Sequence, residues 1–383
     1  MKILHAPVNT ANIGGLLRKG QRLLGHKADV HDIKNTFQYD IDYVIERYIG
    51  DRNDNLASIF EYFSRVLREN YDIYHFYYYG SLFPRAYGIP PFLDIDLLKG
   101  VGNKKFFFHL VGCDFRIPEI SYTRNTSSMC LSCGQCRGLD KLDVLQKILE
   151  RSDGLIVGGP HSNLFLPGLS TNTLPNPVDT DNLNAGNMQR KRPVIIHIPT
   201  NRDIKGTNKI LNAIGLLKAK GIDFDFKLLE GANHVETMRN LENADILIDQ
   251  TGSDFYGTAA IEAMSLGTVV LTGILPETHS QLGEKAPVYA INNESIGEVL
   301  EDVILDHKKR KIIAQEAIAY VREFHDYRKV AEMSLKIYDH GAPPLSSATK
   351  PSDIINDLRQ QIIDCEKSFL EARENLTRLN SGH

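Results

Sequence analysis

The chain has no apolar run approaching the ~20 residues that a membrane-spanning helix needs. Its opening, Met1 to Asn9, reads as a strand and a turn and lacks the long apolar core of a secretory signal. A basic surplus is missing too. Lys and Arg number 44 against 48 Asp and Glu, whereas a nucleic-acid binder needs excess cations to neutralise phosphates. Cysteine is scarce, with five in 383 residues, three of them bunched, which suits a reduced compartment better than a secreted disulfide framework. Cytoplasmic residence is therefore the expectation, with peripheral attachment as the one membrane role left open. No G-x-G-x-x-G follows the first strand, so a dinucleotide site is not expected. What remains is an ordinary globular composition, 42% hydrophobic and 24% charged, in a chain long enough for two domains.

The most informative stretch runs from Thr251 to Gly273, TGSDFYGTAAIEAMSLGTVVLTG. It follows the apolar run ADILID and reads as loop, helix and buried strand. Gly252, Ser253 and Asp254 supply turn chemistry. Thr258 to Leu266 contains good helix formers, Gly267 is placed as a C-cap, and Thr268 to Leu271 is a buried strand. A helix opening directly after a small-residue loop offers free N–H groups and a positive dipole end, a seat for phosphate near Gly257 and Thr258. Asp254 precedes this seat, and Glu262 lies on the helix eight positions after Asp254. The plainer alternative is a β-loop-α-β unit with no ligand.

The chain opens as βαβ, with Gly14-Gly15 at the start of the first helix. Those glycines either approach a ligand through backbone N–H groups or only permit a tight turn. His75 with Tyr77, Tyr78 and Tyr79 either lines a sugar site or fills a core strand. The strand Lys105 to Val111 carries His109, a cleft histidine or a satisfied core one. Cys130, Cys133 and Cys136 form C-x-x-C-x-x-C, most of a structural zinc site with Cys113 as a fourth ligand, or else free thiols or a labile disulfide. Pro175 and Pro177 stiffen the chain before a polar stretch. A second βαβ series begins at Pro193, and its first loop carries Arg202 and Lys205, cations suited to clamping a diphosphate. Leu300 to Phe324 reads as helix. A last helix, Asp353 to Leu379, has a seam of Ile355, Leu358, Ile362, Cys365, Phe369, Leu376 and Leu379, suited to docking on the body or to pairing two copies.

Several of these segments resemble the retaining glycosyltransferases of family 4, which have the GT-B architecture. Glu262 to Val270 (EAMSLGTVV) is similar to the family's E-A-M-A-x-G-x-P-V-V run, without its Pro. Asp254 stands at the family's first Glu, Lys205-Gly206 at its K-G, and Gly14-Gly15 with LGHKADV at its N-terminal pattern. Asp114 and Arg116 match H-G-S-D-x-R, although Val111 replaces the His and Cys113 the Ser. LPNPVD at 174–179 resembles the run closing the first domain, and HDYRKVAEMSLKIYD the helix that returns to it.

The resemblance implies two doubly wound Rossmann-like α/β domains across a cleft. They are expected at 1–179 with the return helix 326–340, and at 193–325, joined by a linker at 180–192 and followed by a helical extension at 351–380. It further implies a nucleotide-sugar donor, a hydroxyl acceptor (a glycan, a lipid-linked molecule or a small molecule), retention of configuration and no metal or other cofactor in catalysis. Lys205 and Arg202 would hold the diphosphate with Gly14, Gly15, Gly257 and Thr258. Glu262 would hold the ribose and Asp254 the transferred sugar, with His109 as the substitute cleft histidine. An epimerase of the same architecture and a non-catalytic nucleotide-sugar binder are the competing expectations.

Overall fold

The computed structural model describes residues 1–36, 38–45, 52–84, 88–125, 127–133, 136–181, 190–282 and 286–381. The chain forms two compact units. The first comprises Met1–Ile117, Gly138–Pro177 and Tyr327–Ile363, the second Pro118–Arg137, Val178–Asp326 and Asp364–His383.

The first unit holds β1 (Lys2–Ala6), β2 (Lys27–Asp32), β3 (Tyr43–Val44), β4 (Ile73–Tyr77), β5 (Lys105–Leu110), β6 (Gly154–Val157) and β7 (Thr171–Thr173). They pair in parallel in the order β3-β2-β1-β4-β5-β6-β7. Sheets of this kind carry helices on their faces, so their strands are buried on both sides. Every residue of β4 and of β6 is accordingly buried. The returning helix Tyr327–His340 belongs to this unit, and its Val330, Leu335 and Tyr338 join Ile3, Ile13, Leu17 and Tyr77 in one core.

The second unit holds β8 (Val194–His197), β9 (Asp225–Leu228), β10 (Ile246–Ile248), β11 (Val269–Thr272) and β12 (Val288–Ala290), parallel in the order β12-β11-β10-β8-β9. The helix Thr258–Ser265 buries Ala260, Ile261, Ala263 and Met264 against one face. The helices Thr207–Ala219 and Ile296–Leu305 contribute to a second core with Ile195, Ile246 and Val269.

Three features differ from the sequence reading. The expected helix 300–324 is two helices, Ile296–Leu305 and His307–Phe324. Asp306 breaks it because its side chain accepts the Lys309 N–H at 2.9 Å and caps the second helix. Pro118–Arg137, expected within the first domain, belongs to the second unit. The last helix, Pro351–Ser381, divides between the units. Its Ile355, Leu358 and Ile362 are buried while Phe369 is exposed. The side chains of Leu376 and Leu379, and residues 182–189 of the expected linker, lie outside the described residues. Among the described residues no helix is long and apolar enough to cross a membrane.

Candidate functional site

Open parallel sheets bind ligands beyond the carboxyl ends of their strands, where the strand order reverses. In the second unit the chain goes from β8 out to β9 and returns to β10 on the other side of β8, so the reversal lies between β8 and β10. At the end of β8, the buried His197 donates from Nδ1 to the Ile248 carbonyl at 2.7 Å. Its Nε2 accepts the Thr207 hydroxyl at 2.9 Å. Burial lowers its pKa, which favours the neutral ring that this pairing needs. The histidine thus ties β8 to β10 and to the start of the next helix.

Between His197 and Thr207, the Asn201 side chain accepts the N–H groups of Asp203 and Ile204, both at 3.0 Å. That cap starts the single turn Arg202–Lys205. The turn places the Lys205 ammonium 2.7 Å from Asp249, just beyond β10, and only 15% of the lysine side chain and 2% of the aspartate side chain are exposed. A Cβ built on Gly257 would lie 3.9 Å from the second Asp249 oxygen. The Asp249 carboxylate therefore stands at the N-terminus of the helix Thr258–Ser265, where the dipole favours negative charge. Gly257 is that helix's N-cap and has no side chain with which to cap it.

Glu262 lies on the same helix and accepts from His234 Nε2 at 2.8 Å. This hydrogen bond raises the His234 pKa against the effect of burial. His234 opens the helix His234–Glu242, which the Asn233 side chain caps at the Glu236 N–H. Arg202 does not join Lys205. Its fork grips Glu230 at 2.8 and 2.7 Å near the surface. It also borders a cavity of about 320 Å³ with Ser127, Gly206, Thr251, Gly252 and Asn293. Asp254 is 1% exposed, and its backbone carbonyl accepts the Leu275 N–H at 3.2 Å.

Gly252 explains the placement of Pro118–Arg137. Its carbonyl accepts the Met129 N–H at 2.8 Å, and a Cβ there would come within 2.1 Å of the Ser127 carbonyl oxygen. The Ser127 hydroxyl also accepts the Asn293 N–H at 3.2 Å. Backbone meets backbone here, and only glycine leaves room. The cysteines on this segment form no disulfide, with Cys130 buried and Cys133 and Cys136 half-buried, while Cys113 is an exposed residue of the first unit. Among the described residues no three His, Cys, Asp or Glu side chains are grouped to hold a metal ion.

The remaining candidates lie in the first unit. Gly15 donates its N–H to the Asn9 side chain at 3.1 Å. A Cβ on Gly14 would press within 3.2–3.4 Å of Asn9, His5 and the Tyr77 hydroxyl. Both glycines are closely packed at the turn. His109 is fully buried, and burial pushes its pKa down to about 3. His75 and Tyr77 are core residues beside it, whereas Tyr78, at φ 55°, is exposed.

No protein-family model and no curated sequence matches the chain. Solved structures do. The chain is similar to sucrose-phosphate synthase from Thermosynechococcus elongatus, at 14% identity and a TM-score of 0.62, covering 88% of this chain and 98% of that one. It is similar to Anabaena HepE in complex with UDP and glucose, at 12% identity and a TM-score of 0.61, covering 88% and 99%. A glycosyltransferase from Rickettsia africae matches at 13% identity and a TM-score of 0.58, covering 88% and 97%. The fold class is that of the GT-B proteins: two Rossmann-like α/β units and a C-terminal helix.

Asp249, His234 and Glu230 were missed in the sequence. Asp249 had a signal, since a carboxylate closing the buried strand ILI at a switch point calls for a cation. The other two meet their partners only through tertiary folding. Chemically, an ammonium close to a helix N-terminus that opens on glycine suits an anionic oxygen such as a phosphate's. A carboxylate held at one oxygen keeps the other to accept hydrogen bonds from hydroxyls.

Proposed function

We propose that this chain is a glycosyltransferase that binds a nucleoside-diphosphate sugar at the β8/β10 reversal and moves the sugar to a hydroxyl acceptor. One observation carries the reading: at the switch point Lys205 pairs with Asp249, whose second oxygen stands beside Gly257, the N-cap of the helix that carries Glu262. The fold likeness to HepE, whose structure holds UDP and glucose, supports the choice of donor class.

Transfer leaves a diphosphate whose charge grows as the glycosidic bond breaks. The N–H groups at Thr258 and the Lys205 ammonium are fixed in place before that charge develops, which is the arrangement that lowers a barrier. Lys205 has three donors, so it can keep Asp249 while facing a phosphate oxygen. Asp249 holds the lysine in register. Arg202 becomes a second phosphate contact on leaving Glu230, a pair near the surface and weak in water. Glu262, held at one oxygen by His234, accepts the ribose hydroxyls, and Asp254 serves the transferred sugar. Membership of family 4, retention of configuration and independence from metal belong to the same proposal and rest on the sequence resemblance. The acceptor is a glycan, lipid-linked or small-molecule hydroxyl.

The test is product analysis with UDP-, GDP- and ADP-sugars and a set of hydroxyl acceptors. Acceptor-dependent release of the nucleoside diphosphate with a new glycoside is expected. A changed sugar without any acceptor would mean epimerisation instead. Donor binding with no turnover under any acceptor would mean a binding protein.

A further inference from the structure

In the first unit a chain of side-chain hydrogen bonds runs from one helix across the sheet, and its direction can be worked out link by link. It starts at a group that can only accept, the Ala331 carbonyl, which takes the Ser334 hydroxyl proton at 2.6 Å. Ser334 Oγ can then only accept from Gln21, at 2.9 Å, so Gln21 turns its NH2 toward Ser334 and its carbonyl toward His5. The second Gln21 N–H reaches the Tyr338 hydroxyl at 3.3 Å. His5 must donate from Nε2 to Gln21 Oε1 at 2.9 Å, which leaves its Nδ1 to accept the Tyr77 hydroxyl at 2.9 Å.

The other branch follows the same logic. Tyr338 accepts from Gln21, so its proton goes to His75 Nδ1 at 2.7 Å. A neutral His75 then carries its proton on Nε2 and donates it to His109 Nδ1 at 3.1 Å. His109, neutral in its turn, carries its proton on Nε2. Burial holds all three rings neutral, with His5 lowered to about 4, His109 to about 3 and His75 well below its ordinary value. The chain therefore ends in an N–H on a fully buried side chain, and among the described residues no partner reaches that nitrogen.

A buried donor without an acceptor is destabilising, and it is the kind of group that a bound oxygen satisfies. Nε2–H of a neutral ring repels a cation and offers no charge to a carboxylate. We propose that His109 Nε2–H is a binding point for one uncharged acceptor oxygen, that of a buried water or of a ligand hydroxyl that displaces it. His109 lies near the carboxyl end of β5, opposite Tyr77 at the end of β4. β4 flanks β1 at this sheet's own reversal, the edge where such units take ligands. Only the ligand-hydroxyl source rests on the glycosyltransferase reading; the water source and the direction of the chain do not.

Nitrogen-15 NMR of the histidine rings in the intact protein tests this. At pH 7, His5, His75 and His109 are all expected to be protonated at Nε2 and bare at Nδ1. A proton on His109 Nδ1 would overturn the proposal. Tyr338→Phe removes the hydroxyl that sets the second branch, so His75 and His109 should lose their single tautomer while His5 keeps its own. Unchanged tautomers in that variant would also overturn it. A magnetisation-transfer peak from water to the His109 Nε2–H identifies a water, and its loss on adding UDP-glucose identifies a displacing hydroxyl. Absence of both the water peak and any response to UDP-glucose would show that no oxygen binds there.

Discussion

The Lys205–Asp249 pair can be taken apart in a way that separates holding the fold from holding a ligand. Asp249→Asn leaves the ammonium without its counter-charge in a largely buried place, and Lys205→Met strands an almost fully buried carboxylate. Removing one partner of a buried ion pair is destabilising by ~3 kcal/mol or more. At ~2–4 °C per kcal/mol for a domain of this size, each variant should melt roughly 6–12 °C lower. Lys205→Met with Asp249→Leu removes both charges together, and such replacements are often close to neutral. The double variant should therefore recover most of the lost stability. Binding should not recover with it. A charge-assisted hydrogen bond is worth ~1.5–3 kcal/mol, or about 10- to 100-fold in affinity. Calorimetry should find that loss for UDP, and little change for uridine, in both variants that lack Lys205. A double variant that is stable and binds UDP like the parent would refute the reasoning, because Lys205 would then serve Asp249 alone.

Glu262→Gln should weaken UDP and UDP-glucose alike by about 10- to 100-fold, whereas Asp254→Asn should spare UDP and cut turnover of the full donor; equal damage to UDP would make Asp254 a loop residue. Acid should unfold the first unit early. The buried His5 and His31 are each lowered from 6.5 to about 4, so their contribution is complete above pH 6.5 and is lost as pH falls toward 4. At ~1.4 kcal/mol per pKa unit that amounts to ~3 kcal/mol for His5; urea midpoints that do not move between pH 7.5 and 5 would contradict it. Gly252→Ala should lower the melting temperature and expose the Ser127–Met129 backbone to hydrogen exchange, because its Cβ would meet the Ser127 carbonyl; unchanged protection there would show that the two segments do not touch.

The strands and the Thr258–Ser265 helix were legible because their signals are local. Runs such as VIIH and VVLT allow little but a buried strand, and Gly257 and Gly267 bracket the helix. Lys205 was legible through its glycine neighbour and its position after a strand. What stayed hidden depends on what folding brings together. Arg202 reads as a free cation until Glu230, 28 residues away, takes its fork. Glu262 reads as a bare carboxylate until His234 arrives, also 28 residues away. The glycine pair at 14–15 reads equally as phosphate loop or tight turn, and only the nearness of Asn9 and Tyr77 favours the turn. Asp306 was the exception, an N-cap residue whose local signal was there to be read before the basic run HKKRK.

A glycosyltransferase of this kind must hold a nucleotide diphosphate at the β8/β10 reversal. Melting curves with UDP, GDP, ADP and CMP and their sugars, on the parent and on Lys205→Ala, measure that directly. One diphosphate at about 100 times its dissociation constant should stabilise the parent by ~2.7 kcal/mol, a rise of roughly 5–11 °C. The same concentration should raise Lys205→Ala far less. A panel in which nothing stabilises the parent, or in which Lys205→Ala responds equally, would contradict the account.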